Sequence, residues 1–484
     1  MARTATSGPL VLGRITGVTD LVRVIVDRIA DGALSDGDRL PSTRALAEQA
    51  GVSRGTVVRA FDELAAAGFI VSRHGSGTRI SDGAAVAARA GARTRGADED
   101  PSESVVPPRQ GRTRRDLRPG IPDAALIDER AWRRAVRAAA GGMAGVNPWE
   151  EPSPTLVAAL SGHLRRHRGI AAARPLLFDS SRSAIAALYA AFAEASPGRT
   201  VVVHMEDPGY RGALLMARDQ GLDVRFHAAD PDGLSVAALG DEPAIVFTTP
   251  AHQYPVGHRM SVERRVTLVE WAGRTGSLVI EDDYDGEFRY GVAPLPALLT
   301  IPGAADHVAY VGTSSKSLAP DLRVAWCLPP AGLRRPVERW LAVHRRGPSA
   351  LSADALGEFI AAGAMDRHLA RAARVYSDRR SRLVAALRRE CPELVVTGVE
   401  AGLHLCVLLP GRDDDEVVRA LESAGWRTRS LSSQAAAHEV PGLVLSYARL
   451  GARDADAFAA ALRRVLMATL RGGEVAPGCS DRIG

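Results

Sequence analysis

A chain of 484 residues, 46% hydrophobic and 24% charged, has the composition of a multidomain globular protein able to bury large cores. Its formal net charge of +5 permits contact with nucleic acid without demanding it. No apolar run reaches membrane-spanning length, and Met1 to Leu10 lack a signal-peptide pattern. The four cysteines, Cys327, Cys391, Cys406 and Cys479, show no CxxC pair and no ligand-like spacing with histidine. A reduced, cytoplasmic protein without a metal site and without membrane contact is expected.

In chain order, residues 1–81 read as a compact first module. Leu21, Ile25 and Ile29, with Val22 and Val26, form one apolar helical face after the caps Thr19/Asp20. Ser42 can cap a short second helix, Thr43 to Ala50, followed by a tight turn at Gly51-Val52. Ser53 can cap a third helix, Arg54 to Ala67, closed by Gly68. Val57, Phe61 and Leu64 then point inward, leaving Arg54, Gly55, Val58 and Arg59 outward near its start. Small residues and arginines on the first turn of a third helix suit entry into a major groove. Phe69–Ser72 and Thr78–Ser81 flank His74-Gly75-Ser76-Gly77 as a hairpin wing. A plain three-helix domain with solvated arginines is the competing reading, and ten arginines against eight acids over 1–81 do little to separate them.

The strings Asp38–Ala47, Gly51–Val57 and His74–Thr78 resemble the GntR-type winged helix-turn-helix over nearly the whole module. That resemblance implies binding to double-stranded DNA. It assigns contact roles to Arg44, Ser53, Arg54, Thr56, His74 and Gly75.

Residues 82–116 shift to Ala, Gly, Arg, Asp and Pro, with the acidic run Asp98-Glu99-Asp100 and then Arg109, Arg112, Arg114 and Arg115. Such a composition buries little apolar surface and reads as a flexible linker. Beyond residue 117, apolar runs (Val201–His204, Ala244–Phe247, Ser277–Glu281, Val308–Gly312, Val324–Leu328) alternate with helix-length segments. This is the pattern of βα units on a parallel sheet, whose chemistry sits at the carboxyl ends of the strands. The segmentation places a large α/β domain at 117–335 and a small α+β subdomain with its tail at 336–484.

Lysines and arginines total 61, yet the only lysine is Lys316. Arginine stays protonated and cannot act as an amine nucleophile, whereas lysine can form an imine with a carbonyl. A sole lysine in Gly312-Thr313-Ser314-Ser315-Lys316-Ser317-Leu318 is therefore a candidate Schiff-base residue, unless arginine-rich codon usage merely spared it. Near it in pattern stands Glu281-Asp282-Asp283-Tyr284-Asp285, a carboxylate cluster ending an apolar strand. A buried acid there can hold a pyridinium proton; a metal site competes, without a histidine at ligand spacing beside it. Arg323 follows Lys316 closely enough to clamp a phosphate.

These pieces resemble fold-type I aminotransferases and, joined to the GntR-like head, the MocR family of regulators over essentially the whole chain. The resemblance implies that Lys316 carries pyridoxal 5′-phosphate as an internal aldimine. It also implies that Asp282 pairs with the pyridine nitrogen, Tyr284 contacts the ring hydroxyl and Arg323 binds phosphate. Arg449, in Ser446-Tyr447-Ala448-Arg449-Leu450, is expected to grip a ligand carboxylate. Ser315, His252, Tyr254 and Tyr210 are expected to line the cofactor. A homodimer and a small-molecule effector (an amine, an amino acid or the cofactor itself) belong to the same expectation.

Three segments depart from the family. Its phosphate turn, usually TSGSQ, is Asp179-Ser180-Ser181-Arg182-Ser183 here, which loses a glycine and brings a carboxylate near an anion, with Arg182 placed to compensate. Val146–Glu150 replaces an upstream YGDPxG motif, and Asp321 replaces a small residue before Arg323. A DNA-binding regulator that senses a small molecule is the leading function. An active aminotransferase and a cofactor-free dimerisation domain are the alternatives.

Overall fold

The structure, a computed structural model, describes residues 15–73, 77–89, 115–141, 153–171, 174–290 and 295–471. The chain divides into two compact units, 1–111 and 112–484.

In the first unit, helices α1 (Val18–Ala30), α2 (Thr43–Ala50) and α3 (Arg54–Ala66) precede strands β1 (Ile70–Arg73) and β2 (Gly77–Ile80), paired antiparallel. Leu21, Ile25, Ile29, Leu46, Val57, Phe61 and Leu64 share one buried core, as their spacing predicts. Ser42 and Ser53 accept from the backbone N–H of Ala45 and Thr56 and cap α2 and α3. The start of α1 differs from expectation. Its N-cap is Gly17, and Asp20 lies inside the helix, accepting from Thr16 N at 3.1 Å.

The segment expected as linker is structured at both ends. Residues 84–89 are helical, with Ala84 and Ala88 buried in the head's core. Asp36 fastens this helix by accepting from Gly83 N at 2.7 Å and Ala85 N at 3.0 Å. At the other end, strand β3 (Arg115–Asp116) pairs in parallel with β13 (Trp426–Arg427). Alanine-rich composition misleads here because a small side chain still packs tightly once a helix presents it to a core.

The second unit is built on a seven-stranded sheet of β4 (Leu176–Phe178), β5 (Val202–Asp207), β6 (Asp223–Ala228), β7 (Ile245–Thr248), β8 (Leu278–Asp283), β9 (Val308–Thr313) and β10 (Ala325–Leu328). Its order is β4-β10-β9-β8-β7-β5-β6. Helices cover both faces, which is why these strands read as unbroken apolar runs. Val279 packs with Leu268 and Trp271 of the helix Val262–Thr275 on one face. Its neighbour Ile280 packs with Ile185 and Leu188 of the helix Ser181–Glu194 on the other. The sheet is mixed, not wholly parallel, because β10 runs antiparallel to both β9 and β4. Only Ser314–Val324 joins β9 to β10, shorter than the crossover of about a dozen residues that a parallel pair needs.

A second, antiparallel sheet, β11 (Val395–Thr397), β12 (His404–Leu408), β15 (Gly442–Ser446) and β14 (Arg429–Ser430), forms the small subdomain. Leu405, Leu443 and Leu445 pack there with Tyr376 of the helix Ala364–Glu390 and Phe458 of the helix Asp454–Arg471. The boundary expected at 335/336 falls inside the helix Ala331–His344. No described helix is long and apolar enough to cross a membrane. Cys327, Cys391 and Cys406 are buried and free; Cys479 lies outside the described residues.

Candidate functional site

Strand β9 ends at Thr313, whose hydroxyl caps the four-residue helix Ser314–Ser317 by accepting from Ser315 N at 3.1 Å. Lys316 is thereby held over the carboxyl ends of the parallel strands, where open α/β sheets bind ligands. Its Nζ donates to the Gly120 carbonyl at 2.8 Å. A Cβ at position 120 would stand 3.2 Å from that amine, and the backbone there has φ +108°, so the close approach suits glycine. Burial lowers the lysine's pKa, opposed by the Asp285 and Asp282 carboxylates.

A cavity of about 1400 Å³ opens over Lys316, lined also by Ser180–Ser183, Tyr210, Thr249, Tyr254, Asp282, Tyr284, Ser315 and Arg323. Asp282, from the end of β8, is buried, and its Oδ1 has no hydrogen-bond partner among the described residues. Burial, reinforced by Asp283, pushes its carboxyl up to about 7. Such an acceptor is costly unless something completes it, and it fits a protonated ring nitrogen. Tyr284 is half-buried, and its hydroxyl lies 3.0 Å from both the carbonyl and Nδ1 of His252. Burial raises the Tyr284 hydroxyl well above its usual pKa, so it remains a donor.

Tyr210 and Tyr254 meet edge to face at 6.1 Å, and Tyr254 meets Tyr284 in the same way at 5.9 Å. The loop after β7 positions Tyr254 through its N–H, donated to Thr249 Oγ1 at 2.9 Å. His252 stands behind this wall rather than in it. It is buried, holds Asp285 Oδ2 at 3.0 Å through Nδ1, and does not line the cavity. His404, passed over in the sequence, takes the lining position, with its ring 5.4 Å from Tyr254. It comes from the small subdomain, on β12, far in sequence from the residues around Lys316.

The phosphate turn is rearranged rather than lost. Asp179 Oδ1 accepts from the Ser180 and Ser183 hydroxyls at 3.0 and 2.6 Å. Its Oδ2 lies 3.6 Å from Arg323 and 3.4 Å from Arg346. Arg346 therefore answers the extra carboxylate; the expected compensator, Arg182, instead donates through Nε to the Tyr210 hydroxyl at 3.1 Å. Arg323 is reached by a left-handed backbone turn, φ +54°, and lines the cavity beside the first turn of Ser181–Glu194. Serines, an arginine and a helix N-terminus are a donor set for phosphate. With the incomplete acid at Asp282, the residues present fit pyridoxal 5′-phosphate.

Arg449 departs from its expected place. Tyr447 and Ala448 turn inward, Tyr447 donating to the Ala401 carbonyl at 2.7 Å, and Arg449 is exposed and outside the cavity lining. Its charge acts on Asp116 instead. From the small subdomain the arginine in the lining is Arg429, on β14.

In the first unit Arg54 is exposed on the opening turn of α3 and Thr56 is half-buried. Ser53 Oγ is 2.8 Å from Thr56 Oγ1, so both hydroxyls are partly engaged in capping. Arg44 is exposed on α2, pairing with Glu48 at 3.4 Å. The wing-tip residues His74 and Gly75 and the upstream Val146–Glu150 lie outside the described residues.

Comparisons with known proteins agree with this division. Residues 19–80 match the family of bacterial regulatory proteins, gntR family, and residues 125–434 match aminotransferase class I and II. The HTH-type pyridoxine biosynthesis transcriptional regulator PdxR of Corynebacterium glutamicum is 32% identical over 419 residues, 86% of this chain and 88% of the relative. The probable rhizopine catabolism regulatory protein MocR of Rhizobium meliloti is 31% identical over 446 residues, 87% of each chain. Among solved structures, LysN, an α-aminoadipate aminotransferase of Thermus thermophilus, superposes with a TM-score of 0.64 at 24% identity, covering 74% of this chain and 92% of that one, a likeness of fold. The chain therefore belongs to the MocR family, transcriptional regulators that join a gntR-type helix-turn-helix to an aminotransferase-like domain.

Proposed function

We propose that the second unit is a receptor for a small amine-bearing ligand, read through pyridoxal 5′-phosphate held at Lys316, and that the first unit carries the signal to duplex DNA. The observation that carries this reading is the juxtaposition of the chain's sole lysine with the buried, unpartnered Asp282 carboxylate in one cavity. Asp282 would hold the ring nitrogen, Tyr284 the ring hydroxyl, and Arg323 with Ser180, Ser181 and Ser315 the phosphate. Bound there, the cofactor supplies a carbonyl carbon that amines attack. Burial of Lys316 favours the neutral amine, the form able to bond carbon. Tyr210 and Tyr254 line the approach to the lysine. Arg429 is placed to meet a carboxylate on the incoming amine, and its charge already reaches Tyr254.

On the DNA side, Arg54, Ser53, Thr56 and Arg44 would contact the operator, with His74 and Gly75 at the wing tip. A cytoplasmic homodimer suits paired half-sites. A ligand moves DNA affinity only if it binds the DNA-competent arrangement with a different free energy. The name of the corynebacterial relative supports a variant in which the cofactor itself is the effector. The test is titration of the full chain with pyridoxal 5′-phosphate and a panel of amino acids, read by long-wavelength absorbance and by operator binding. A new absorbance band with a ligand-dependent change in DNA affinity is expected. Absence of any band removes the cofactor reading, and steady turnover of the amino acids would replace the receptor by an enzyme.

A further inference from the structure

Away from the cavity, the helix Pro154–Arg168 carries His163 and His167, one turn apart on the same face. Asp366, in the first turn of the helix Ala364–Glu390, faces them. Its Oδ1 lies 2.9 Å from His167 Nε2 and 3.8 Å from His163 Nδ1. The three ligand atoms all fall within 4.8 Å of one another. An ordinary helix-to-helix ion pair accounts for His167 and Asp366 but not for His163. That imidazole is 2% exposed, and its Nδ1, aimed at Asp366, has no hydrogen-bond partner among the described residues.

We propose that His163 Nδ1, His167 Nε2 and Asp366 Oδ1 bind a divalent transition-metal ion of the zinc type. The distances suit it. Zinc bonds of about 2.0–2.1 Å at tetrahedral angles set ligand atoms roughly 3.4 Å apart. The observed 2.9 and 3.8 Å to Asp366 bracket that separation, and the two imidazole nitrogens lie within 4.8 Å of one another. The outer shell suits it as well. Glu287 stands behind His163, its Oε1 3.8 Å from Nε2, and its other oxygen is buried without a partner among the described residues. A carboxylate behind a ligating imidazole orients the ring and raises its basicity. Arg166 pairs with Asp366 through Oδ2 at 3.2 Å, leaving Oδ1 to the imidazoles. Asp366 is 37% exposed, which opens a path for the ion and leaves a fourth position to water. Two residues on, His368 Nε2 donates to the Ser317 carbonyl at 2.9 Å, so the ion would brace the same helix that supports the turn of Lys316.

Full-length protein, stripped with a chelator and dialysed against Zn²⁺, tests this by metal content per chain and by the midpoint of thermal unfolding. The native chain is expected to retain one equivalent and to unfold at a higher temperature with Zn²⁺ than without. Asp366→Asn and His167→Gln, both at half-exposed positions, should each lose that equivalent and the thermal shift. Glu287→Gln should weaken binding by about 10–100-fold. The second candidate cluster, His252, Asp285 and His404, is untouched by these variants, so the difference from the native chain isolates the proposed site. Equal zinc uptake by native and Asp366→Asn protein, or no uptake by the native chain, overturns the assignment.

Discussion

Replacing Asp282 by asparagine should stabilise the cofactor-free protein while weakening its hold on the cofactor. The folded carboxyl titrates at about 7 against an ordinary 3.8, chiefly through burial and then through Asp283. At about 1.4 kcal/mol per pH unit, ionisation in the folded state costs on the order of 4 kcal/mol more than in the unfolded chain. That figure is an upper bound, because Asp283 and Asp285 readjust when the charge is removed. The sign follows from proton counting. Between about pH 4 and 7 the folded form holds a proton that the unfolded form has released, so stability falls as pH rises through this window and is flat above it. The amide of the variant carries no charge at any pH. The Asp282→Asn gain should therefore be about 2–4 kcal/mol at pH 8, roughly half that near pH 5.5, and close to nil at pH 4. Urea unfolding of both proteins at these pH values, without cofactor, measures it. A gain independent of pH, or a loss at pH 8, would refute the view of Asp282 as a buried acid awaiting a partner. Pyridoxal 5′-phosphate titration of the variant should show weaker binding, since an amide does not hold a protonated ring nitrogen as a carboxylate does.

Borohydride treatment of the protein loaded with pyridoxal 5′-phosphate should add one pyridoxyl group, found on Lys316 by peptide mass spectrometry; an unmodified Lys316 contradicts its assigned role. Arg54→Ala should weaken operator binding by about 1–3 kcal/mol in a gel-shift titration if its guanidinium reads a base edge, and unchanged affinity would displace the recognition surface from the start of α3. Arg429→Gln should raise the concentration of carboxylate-bearing amines needed to alter DNA binding, by roughly tenfold or more, while sparing amines without a carboxylate. An equal effect on both classes would return the carboxylate role to another arginine.

Local signals are legible in the sequence, and long-range ones are not. Ser42, Ser53 and the apolar spacing of α3 act within a few residues, and the head follows them closely. Lys316, Asp282 and Tyr284 converge because each sits at or just beyond the end of a parallel strand, which a βα pattern reveals; Arg323 joins them just before the antiparallel β10 starts. The strand β6, Asp223–Ala228, escapes the apolar-run reading because it is an edge strand with alternating exposure. Arg346 answers Asp179 across a long stretch of chain, so only folding discloses that the altered phosphate turn is neutralised. Arg449 misleads for a related reason. The motif around it specifies a turn, but which residue of the turn faces the cavity is decided by the packing of Tyr447.

The bond from Lys316 Nζ to the Gly120 carbonyl has a consequence for signalling. One amine cannot serve two masters in the same instant. Whenever Nζ turns to a carbon atom in the cavity, the carbonyl of Gly120 surrenders its donor. That carbonyl lies just beyond strand β3, close to where the chain enters the second unit from the DNA-binding one. On the proposed reading, a bond formed at Lys316 would therefore be felt first at the Gly120 carbonyl, four residues beyond the end of β3.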